Sequence, residues 1–318
     1  MTVTKYRKDN LSRCLLILPA VLLILALGVP APAASAGRRQ KSFASPEEAV
    51  HGLIAALKAN DDKKLSTILG PGSQSLISSG DRVADRAGRA EVVRLYGEKN
   101  RIEQVNPDKV VLAIGNQDYP VPIPVVKRGN VWVFDTKAGR EEILNRRIGR
   151  NELKAIDVAR AYVDAQREYA FNERGGVEAL EFAQKFLSTP GKQDGLYWPA
   201  PEGEEESPLG PFVAQAAREG YTKGKDNKPV PFHGYYFRIL KAQGKHAEGG
   251  DFNYVVNGHM ILGFALVAYP AQYGASGIMT FIVNQDGVVY QKNLGKNSGR
   301  VAAGMKLFDP DKSWRKVE

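Results

Sequence analysis

The run Gly274-Ala275-Ser276-Gly277 places a serine among small residues, as nucleophilic serines often are. A nucleophile elbow needs a second glycine two residues after the serine and a strand-to-helix turn that exposes the hydroxyl. Ile278 stands at that place, and the flanking residues predict strands rather than a helix. A flexible loop is therefore the favoured interpretation. A hydrolase that pairs Ser276 with His259, which belongs to the same predicted group of strands, is kept as an alternative.

The acidic and histidine residues offer weaker routes to catalysis. Solvation in a Pro/Gly-rich stretch would keep a cluster of glutamates ionised, and nothing there would raise the pKa of one of them for acid catalysis. These are Glu202, Glu204, Glu205 and Glu206. Three histidines lack the close spacing of zinc motifs. These are His233, His246 and His259. Phosphate-binding and dinucleotide-binding glycine motifs are missing as well. We therefore expect no catalytic residue, no metal and no cofactor.

Aromatic side chains remain as the means of recognition. They are concentrated in the second half of the chain, and half of them are expected in its core. The set comprises Tyr197, Trp198, Tyr235, Tyr236, Tyr254, Tyr269, Tyr273 and Tyr290. Rings in loops are harder to explain as core, and they can stack on sugars or anchor a protein partner. We therefore predict two binding segments, residues 196–199 with Tyr197 and Trp198, and residues 269–277 with Tyr269 and Tyr273.

Residues 1–36 have the pattern of a secretory signal peptide. Basic residues precede an almost wholly apolar run over residues 14–28, and Ala34-Ser35-Ala36 supplies the small side chains of a cleavage site. The apolar run is about 15 residues long, whereas a membrane-spanning helix needs about 20. We predict cleavage after Ala36 rather than an uncleaved anchor, export to the periplasm or secretion, and no integral membrane segment afterwards. The single cysteine, Cys14, would leave with the leader.

The chain is basic, but not in the manner of a nucleic-acid-binding protein. Its 44 Lys and Arg residues exceed its 35 Asp and Glu residues, yet no basic run is interleaved with aromatic residues. Four arginines lie close together: Arg82, Arg86, Arg89 and Arg94. They fit either a patch attracted to anionic lipid or cell-wall polymer, or a solvated helix face. The solvated face is favoured because Asp81, Asp85 and Glu91 lie among them.

Residues 37–140 predict an N-terminal α+β domain. Ser45-Pro46-Glu47-Glu48 is a strong helix start with a capping box, and Asp61 or Asp62 caps a second helix. A third helix is predicted over 89–99, and strands over 109–115, 119–127 and 131–134. Two capped helices before a small sheet resemble the opening of cone-shaped folds of the nuclear-transport-factor kind. Such a concave face suggests a small-molecule carrier as another alternative.

Residues 141–318 predict a second α+β domain. A long helix over 151–171 has an apolar stripe that includes Gln166, which we expect to be a hydrogen-bonded structural residue. Shorter helices are predicted over 177–187, after Gly175-Gly176, and over 212–219. The long helix is expected to pack on a four-stranded antiparallel meander. Its strands are predicted over 235–240, 260–269, 278–283 and 288–290, with a two-residue hairpin turn at Asp286-Gly287.

Four stretches carry a resemblance to a known family. They are Phe43-Ala44-Ser45-Pro46-Glu47-Glu48-Ala49, residues 142–152, Gly195-Leu196-Tyr197-Trp198, and the closing block over residues 263–290. On these stretches the chain resembles a family of exported bacterial proteins catalogued as a domain of unknown function. The resemblance implies export, and it implies no activity and no catalytic residue.

The second predicted domain also resembles the globular part of pseudopilins, the pilin-like subunits of secretion machines. The residues that carry this resemblance are Ala159 and Tyr162 on the long helix, Gly234-Tyr235-Tyr236, Thr280-Phe281 and Asp286-Gly287-Val288. The apolar half of a pilin helix, which packs into the filament, is missing because polar residues begin this helix. The resemblance therefore implies a shared fold without filament assembly.

We therefore predict an exported, non-enzymatic protein that binds an envelope protein or a cell-wall polymer through aromatic loops of its second domain. The alternatives are a cell-envelope hydrolase with an unrecognised site and a small-molecule carrier that uses the first domain. Nucleic acid is not expected as a partner.

Overall fold

The computed structural model describes residues 40–171, 180–201, 203, 206–222 and 229–318. The predicted signal peptide, Gly175-Gly176 and three of the four clustered glutamates lie outside these residues. The described residues belong to one compact unit. They combine helices with antiparallel sheets, so the predicted α+β class is confirmed. Among them, no helix combines the length and the apolarity that crossing a membrane requires.

Four helices open the described part of the chain. They are α1 (Pro46–Lys58), α2 (Asp62–Leu69), α3 (Gln74–Ile77) and α4 (Arg82–Glu98). The Ser45 hydroxyl caps α1 by accepting a hydrogen bond from Glu48 N, so this predicted helix start is confirmed. Asp61, rather than Asp62, caps α2. The third predicted helix begins earlier than expected, because the Asp81 carboxylate accepts two backbone N–H groups of the first turn of α4.

A five-stranded antiparallel sheet follows these helices. Its strands are β1 (Asn100–Asn106), β2 (Lys109–Ile114), β3 (Tyr119–Pro120), β4 (Val125–Arg128) and β5 (Val131–Phe134). β1, β2, β4 and β5 pair in that order, and β3 pairs with β2. The sequence does not predict β1, because most of its side chains are polar and exposed at the sheet edge. The predicted strand over 119–127 is present as β3 and β4, with prolines between them.

The helices and this sheet enclose a first hydrophobic cluster. Its buried members include Phe43, Val50, Leu53, Leu65, Ile68, Leu112, Ile114, Val125 and Phe134. The rings of Phe43 and Phe134 meet edge to face, with centroids 6.5 Å apart. Phe43 also pairs through its backbone with Trp132. Packed side chains therefore occupy the interior beside Phe134, where a carrier would need a cavity.

One 36-residue helix, α5 (Thr136–Phe171), leads from the sheet into the rest of the chain. It begins well before the predicted start at residue 151. Its first half packs on the first cluster through Ile143. Its second half contributes Ala155, Tyr162 and Val163 to a second cluster. The predicted boundary between residues 140 and 141 falls within this helix, and the division into two domains stays a prediction.

The helix predicted over 177–187 is wrong over residues 180–187, which are not helical. Tertiary partners take the backbone N–H groups that a helix would use internally. Phe182 N donates to Met260 O, and Ala183 N donates to Gln166 Oε1. The Gln166 amide also donates to Ala183 O and to the Tyr162 hydroxyl. Gln166 is fully buried, and its prediction as a hydrogen-bonded structural residue is confirmed.

The C-terminal part is built on a second antiparallel sheet. The elements after α5 are α6 (Gly210–Arg218), β6 (Tyr235–Leu240), β7 (Ala242–Gln243), β8 (Phe252–Asn253), β9 (Val255–Val256), β10 (His259–Met260), β11 (Ala265–Pro270), β12 (Met279–Asn284), β13 (Tyr290–Asn293), α7 (Ser298–Gly304) and β14 (Arg315–Lys316). β14, β13, β12, β11 and β6 form one sheet in that order. The predicted meander is therefore present, with β14 as a fifth strand. β7 pairs with β8, and β9 with β10, outside this sheet.

Two strand boundaries differ from the prediction. The strand predicted over 260–269 is divided between β10 and β11 at Gly263, whose φ is +152° and where a Cβ atom would lie 2.9 Å from the Tyr254 ring. The link from β12 to β13 runs over residues 285–289, rather than through a two-residue turn at Asp286-Gly287. The carbonyl of its last residue, Val289, accepts a hydrogen bond from Val317 N in the C-terminal segment instead of from β12.

α5 and α7 lie on opposite faces of the second sheet. Tyr235 of β6 lies beside Glu152 of α5. Arg238 is three residues further along the same strand and therefore projects from the other face. Its guanidinium donates to Ala302 O of α7. The face toward α5 includes Phe281 and forms the larger part of the second hydrophobic cluster.

Candidate functional site

Three tyrosines lie at one end of the second sheet. Tyr236 of β6 and Tyr269 of β11 are cross-strand partners. Their rings are 5.6 Å apart and inclined by 40°. Tyr273, in the loop after β11, donates its hydroxyl to Asn293 Oδ1 of β13 at 3.2 Å. All three side chains are half-buried. The predicted residues Tyr269 and Tyr273 thus lie at the same end of the sheet as Tyr236, and we call these three side chains the tyrosine end.

The loop over 271–278 is held firmly against α5. Asn151 Nδ2 donates to Ser276 O at 2.8 Å. The Glu152 carboxylate accepts the backbone N–H groups of Ile278 and Met279, both at 2.9 Å. At Gly277 a Cβ atom would lie 2.1 Å from the Tyr235 hydroxyl, so only glycine fits there. A loop held in this way presents Tyr273 with little freedom to reorganise on binding.

Ser276 is placed for structure rather than for attack on a substrate. It is fully buried. Its Oγ accepts Gln272 N at 2.9 Å and donates to Gln272 O at 3.1 Å. The His259 ring lies against Glu181, with Nδ1 and Oε2 2.9 Å apart. The described contacts therefore do not join Ser276 to His259.

The other predicted segment, residues 196–199, lies elsewhere in the molecule. Trp198 is 8% exposed, and the neighbouring Leu196 is fully buried. Tyr197 is half-buried, and its backbone pairs with residues 186 and 188. This segment lies near the C-terminal end of α5, where the Tyr169 hydroxyl donates to Gln193 O. Residues 151 and 169 are about 27 Å apart along α5, at 1.5 Å per residue. The two predicted segments therefore do not form one surface.

The face toward α7 continues beside the tyrosine end as an open groove. The groove has a volume of about 410 Å³, and its lining includes Ile282, Met305 and Trp314. The Lys292 ammonium lies 5.7 Å from the Trp314 ring centroid. Thr280 Oγ1 and Arg238 Nε are buried and form no hydrogen bond with the described residues. This face therefore combines aromatic rings, cations and unused polar atoms.

A polar cluster around the buried Asp81, which the sequence does not predict, joins the two hydrophobic clusters. Asp81, the cap of α4, is 1% exposed. Its Oδ2 accepts the Tyr221 hydroxyl at 2.9 Å and Gly234 N at 2.8 Å. The Tyr221 hydroxyl in turn accepts His233 N at 3.1 Å. His233 has a φ of 47°, and its Nε2 lies 3.0 Å from Glu219 Oε2. We call these four side chains the Asp81 junction.

Burial shifts the pKa values of two members of the Asp81 junction, Tyr221 and His233. It raises the pKa of Tyr221 well above its ordinary value, and the charge of Asp81 adds to this effect. Burial also lowers the pKa of His233, although the charges of Glu219 and Asp81 oppose the shift. An aspartate before a helix is a local cap signal, which the predicted helix start at residue 89 missed, whereas Tyr221 and Gly234 lie 140 and 153 residues away. No local pattern indicates those partners.

Three of the histidines each lie against a carboxylate of their own. His233 lies against Glu219, His246 against Asp309, and His259 against Glu181. Within the described ranges, no group of three His, Cys, Asp or Glu residues is arranged to hold a metal ion. Glu206 is the one member of the glutamate cluster that the structure describes, and it is exposed.

Comparison with known proteins identifies a family. A protein-family model described as "Protein of unknown function (DUF2950)" matches residues 40–317. No curated protein matches the chain. No solved structure matches it either.

Proposed function

We propose a binding function for this chain, which belongs to the DUF2950 family of proteins of unknown function. It is an exported, non-enzymatic protein that binds an envelope protein or a cell-wall polymer through aromatic residues of its C-terminal part. The basic, apolar and small-residue pattern over residues 1–36 supports export to the periplasm or secretion. The order of α5 and the strand meander supports a pseudopilin-like second domain.

The tyrosine end is the observation that carries this proposal. Tyr236, Tyr269 and Tyr273 are half-buried, so each ring is held in place while part of it remains available. Rigid aromatic rings contribute large contact area at low cost in conformational entropy, which is why tyrosine is enriched at binding sites. The Tyr273 hydroxyl donates to Asn293 and keeps a lone pair that can accept a hydrogen bond from a polar ligand.

The contacts of Ser276 and of the histidines support a non-enzymatic role. The Ser276 hydroxyl is buried and bonded to the backbone of Gln272. Each of three histidines lies against its own carboxylate instead of against a nucleophile. A general base must reach the proton that it removes, and none of these contacts provides that geometry.

The test is capture of envelope components by immobilised residues 37–318. We expect Tyr269→Ala with Tyr273→Ala to reduce recovery of the specific component at least about tenfold, because aromatic anchors dominate binding energy. The matched control is Tyr119→Ala on β3, which removes an exposed tyrosine from the first sheet. Tyr197→Ala tests the second predicted segment separately. The captured component is then purified, and its affinity is measured for each variant.

Equal recovery by the tyrosine-end variant and by unmodified protein would reject this surface. Loss of recovery with Tyr197→Ala alone would transfer the binding site to residues 196–199. Thermal melting of each variant shows whether a loss of binding reflects a loss of folding.

A further inference from the structure

A second, basic surface lies where α4 and α5 meet α3. Arg89 Nη2 of α4 donates to Ile77 O at 2.6 Å. Arg147 of α5 donates to Ser75 O and Leu76 O, both at 2.7 Å. Two guanidinium groups from different helices therefore bind three consecutive carbonyls at the end of α3. We call the surface around them the arginine groove.

Further arginines extend the groove along both helices. Arg82, Arg86 and Arg89 lie at positions i, i+4 and i+7 of α4, so they share one face. On α5, Arg140 and Arg147 are seven residues apart and share a face, and Arg150 follows one turn later. Burial lowers the pKa of Arg147; the charge of Asp85 opposes this shift, and the positive charges of Arg150 and Arg89 add to it. The two helices thus place their positive charges close enough to interact.

Some acidic residues near these arginines compensate them: Asp62 of α2 pairs with Arg89 at 2.8 Å, and the charge of Asp85 acts on Arg147. Asp81 and Glu91 are engaged elsewhere. Asp81 is buried and bonds to backbone N–H groups and to Tyr221. Glu91 pairs with Arg94, outside the groove. Asp85 Oδ2 accepts Ser79 N. The solvated-face interpretation of the arginines depended on Asp81, Asp85 and Glu91. Asp81 and Glu91 form their contacts outside the groove, so they do not neutralise its arginines.

Four groove arginines have no ion pair with any residue that the structure describes. They are Arg82, Arg86, Arg140 and Arg150, and all four are exposed. A second observation lies at α3 itself, where the Ser75 hydroxyl is buried and has no hydrogen-bond partner among the described residues. The backbone carbonyl of the same serine is bound by Arg147. Exposed guanidinium groups without an ion pair, together with an unpartnered hydroxyl, are the chemistry that binds phosphate oxygens.

We propose that the arginine groove binds a linear, phosphate-bearing polyanion, separately from the tyrosine end. Arg140 and Arg150 are about 15 Å apart along α5, at 1.5 Å per residue. That length matches several repeats of a polymer better than a single phosphate ion or lipid headgroup. Planar guanidinium groups recognise phosphate by paired N–H donors, and clustered positive charge attracts a polyanion from solution.

The experiment measures binding of fluorescent linear polyphosphate to residues 37–318 as a function of salt. The groove variant is Arg82→Gln with Arg86→Gln and Arg150→Gln. The matched control is Arg128→Gln with Arg300→Gln and Arg315→Gln, which removes three exposed arginines far from the groove in sequence. Glutamine keeps the helix propensity of arginine at the helical positions, and every substituted arginine is exposed, so both variants are expected to fold.

We expect the groove variant to lose at least about tenfold in affinity. We also expect a shallower salt dependence, because a protein that contacts fewer phosphates releases fewer counterions on binding. The control is expected to change the affinity by less than about twofold, since nonspecific charge alone contributes there. Equal losses in both variants would overturn the proposal by showing that only net charge matters. No binding of polyphosphate by unmodified protein would also overturn it.

Vesicles distinguish a polymer from a membrane surface. Phosphatidylcholine vesicles with and without phosphatidylglycerol are compared with polyphosphate as ligands of the same protein. Binding to phosphatidylglycerol vesicles that polyphosphate does not compete away would overturn the polymer assignment. Competition by polyphosphate, together with weak competition by inorganic phosphate, supports it.

Discussion

Asp81→Ser tests how the two hydrophobic clusters are joined. Serine caps a helix about as well as aspartate does. Its side chain is too short, however, to reach the Tyr221 hydroxyl and Gly234 N. The substitution therefore keeps the cap of α4 and removes the contacts across the Asp81 junction. We predict that it lowers the free energy of unfolding.

The magnitude follows from two contacts. The carboxylate, 1% exposed, accepts the Tyr221 hydroxyl at 2.9 Å and Gly234 N at 2.8 Å. A hydrogen bond to a charged partner contributes about 1.5–3 kcal/mol. The Gly234 N–H would also be left without an acceptor in a buried place. Because water can enter the space that serine leaves, we expect a loss of about 2–4 kcal/mol.

Urea denaturation of residues 37–318 measures this loss. The matched control is Asp61→Ser, which changes the cap of α2, where the carboxylate contacts only its own first turn. We expect no measurable change for this control. A double-mutant cycle with Tyr221→Phe is expected to show a coupling energy above about 0.5 kcal/mol. A loss for Asp81→Ser no larger than that for Asp61→Ser would refute the reasoning.

Two further predictions concern α5 and the pH dependence of folding. Gly139→Ala is expected to lower the melting temperature, because the new Cβ would lie 2.3 Å from Pro122 O. Gly149→Ala, in open space on the same helix, is expected to raise the melting temperature, because alanine favours a helix over glycine by about 1 kcal/mol. A higher melting temperature for Gly139→Ala than for Gly149→Ala would contradict the packing of α5. Burial lowers the pKa of His233, so the unfolded chain takes up a proton before the folded chain does, and stability is expected to fall as the pH drops below about 6.5. In His233→Asn, the asparagine tolerates the φ of 47°. The free energy of unfolding, measured by urea denaturation at several pH values, should then fall less at low pH. An unchanged pH profile would show that His233 is not the group responsible.

Local signals predicted most of the secondary structure correctly. The Ser45 cap and the Asp61 cap act within one turn of a helix, so the residues that form them are adjacent in sequence. The β-rich runs of β5 and β6 are equally local. Helix propensity over 177–187 misled the prediction, because Gln166 and Met260 take the backbone N–H groups of that segment. Those partners are distant in sequence and leave no pattern in the segment itself.

Part of the candidate site was predictable from the sequence, and part depended on contacts between residues distant in sequence. Aromatic residues in a predicted loop indicated Tyr269 and Tyr273; Tyr273 does lie in the loop, whereas Tyr269 lies in β11. Tyr236 was assigned to a strand, and its pairing with Tyr269 depends on the register of β6 against β11. The burial of Trp198 depends equally on the packing around it.

The arginines show most clearly which properties follow from the amino-acid sequence and which depend on the tertiary structure. Their number, their positive charge and their helical spacing are properties of neighbouring residues, and the amino-acid order is enough to establish them. Whether Asp81 neutralises those arginines or turns inward to Tyr221 depends on a partner 140 residues away. Hydrogen bonds and Coulomb interactions act through space rather than along the chain. Charge compensation, and with it the character of a binding surface, is therefore settled by the packed molecule.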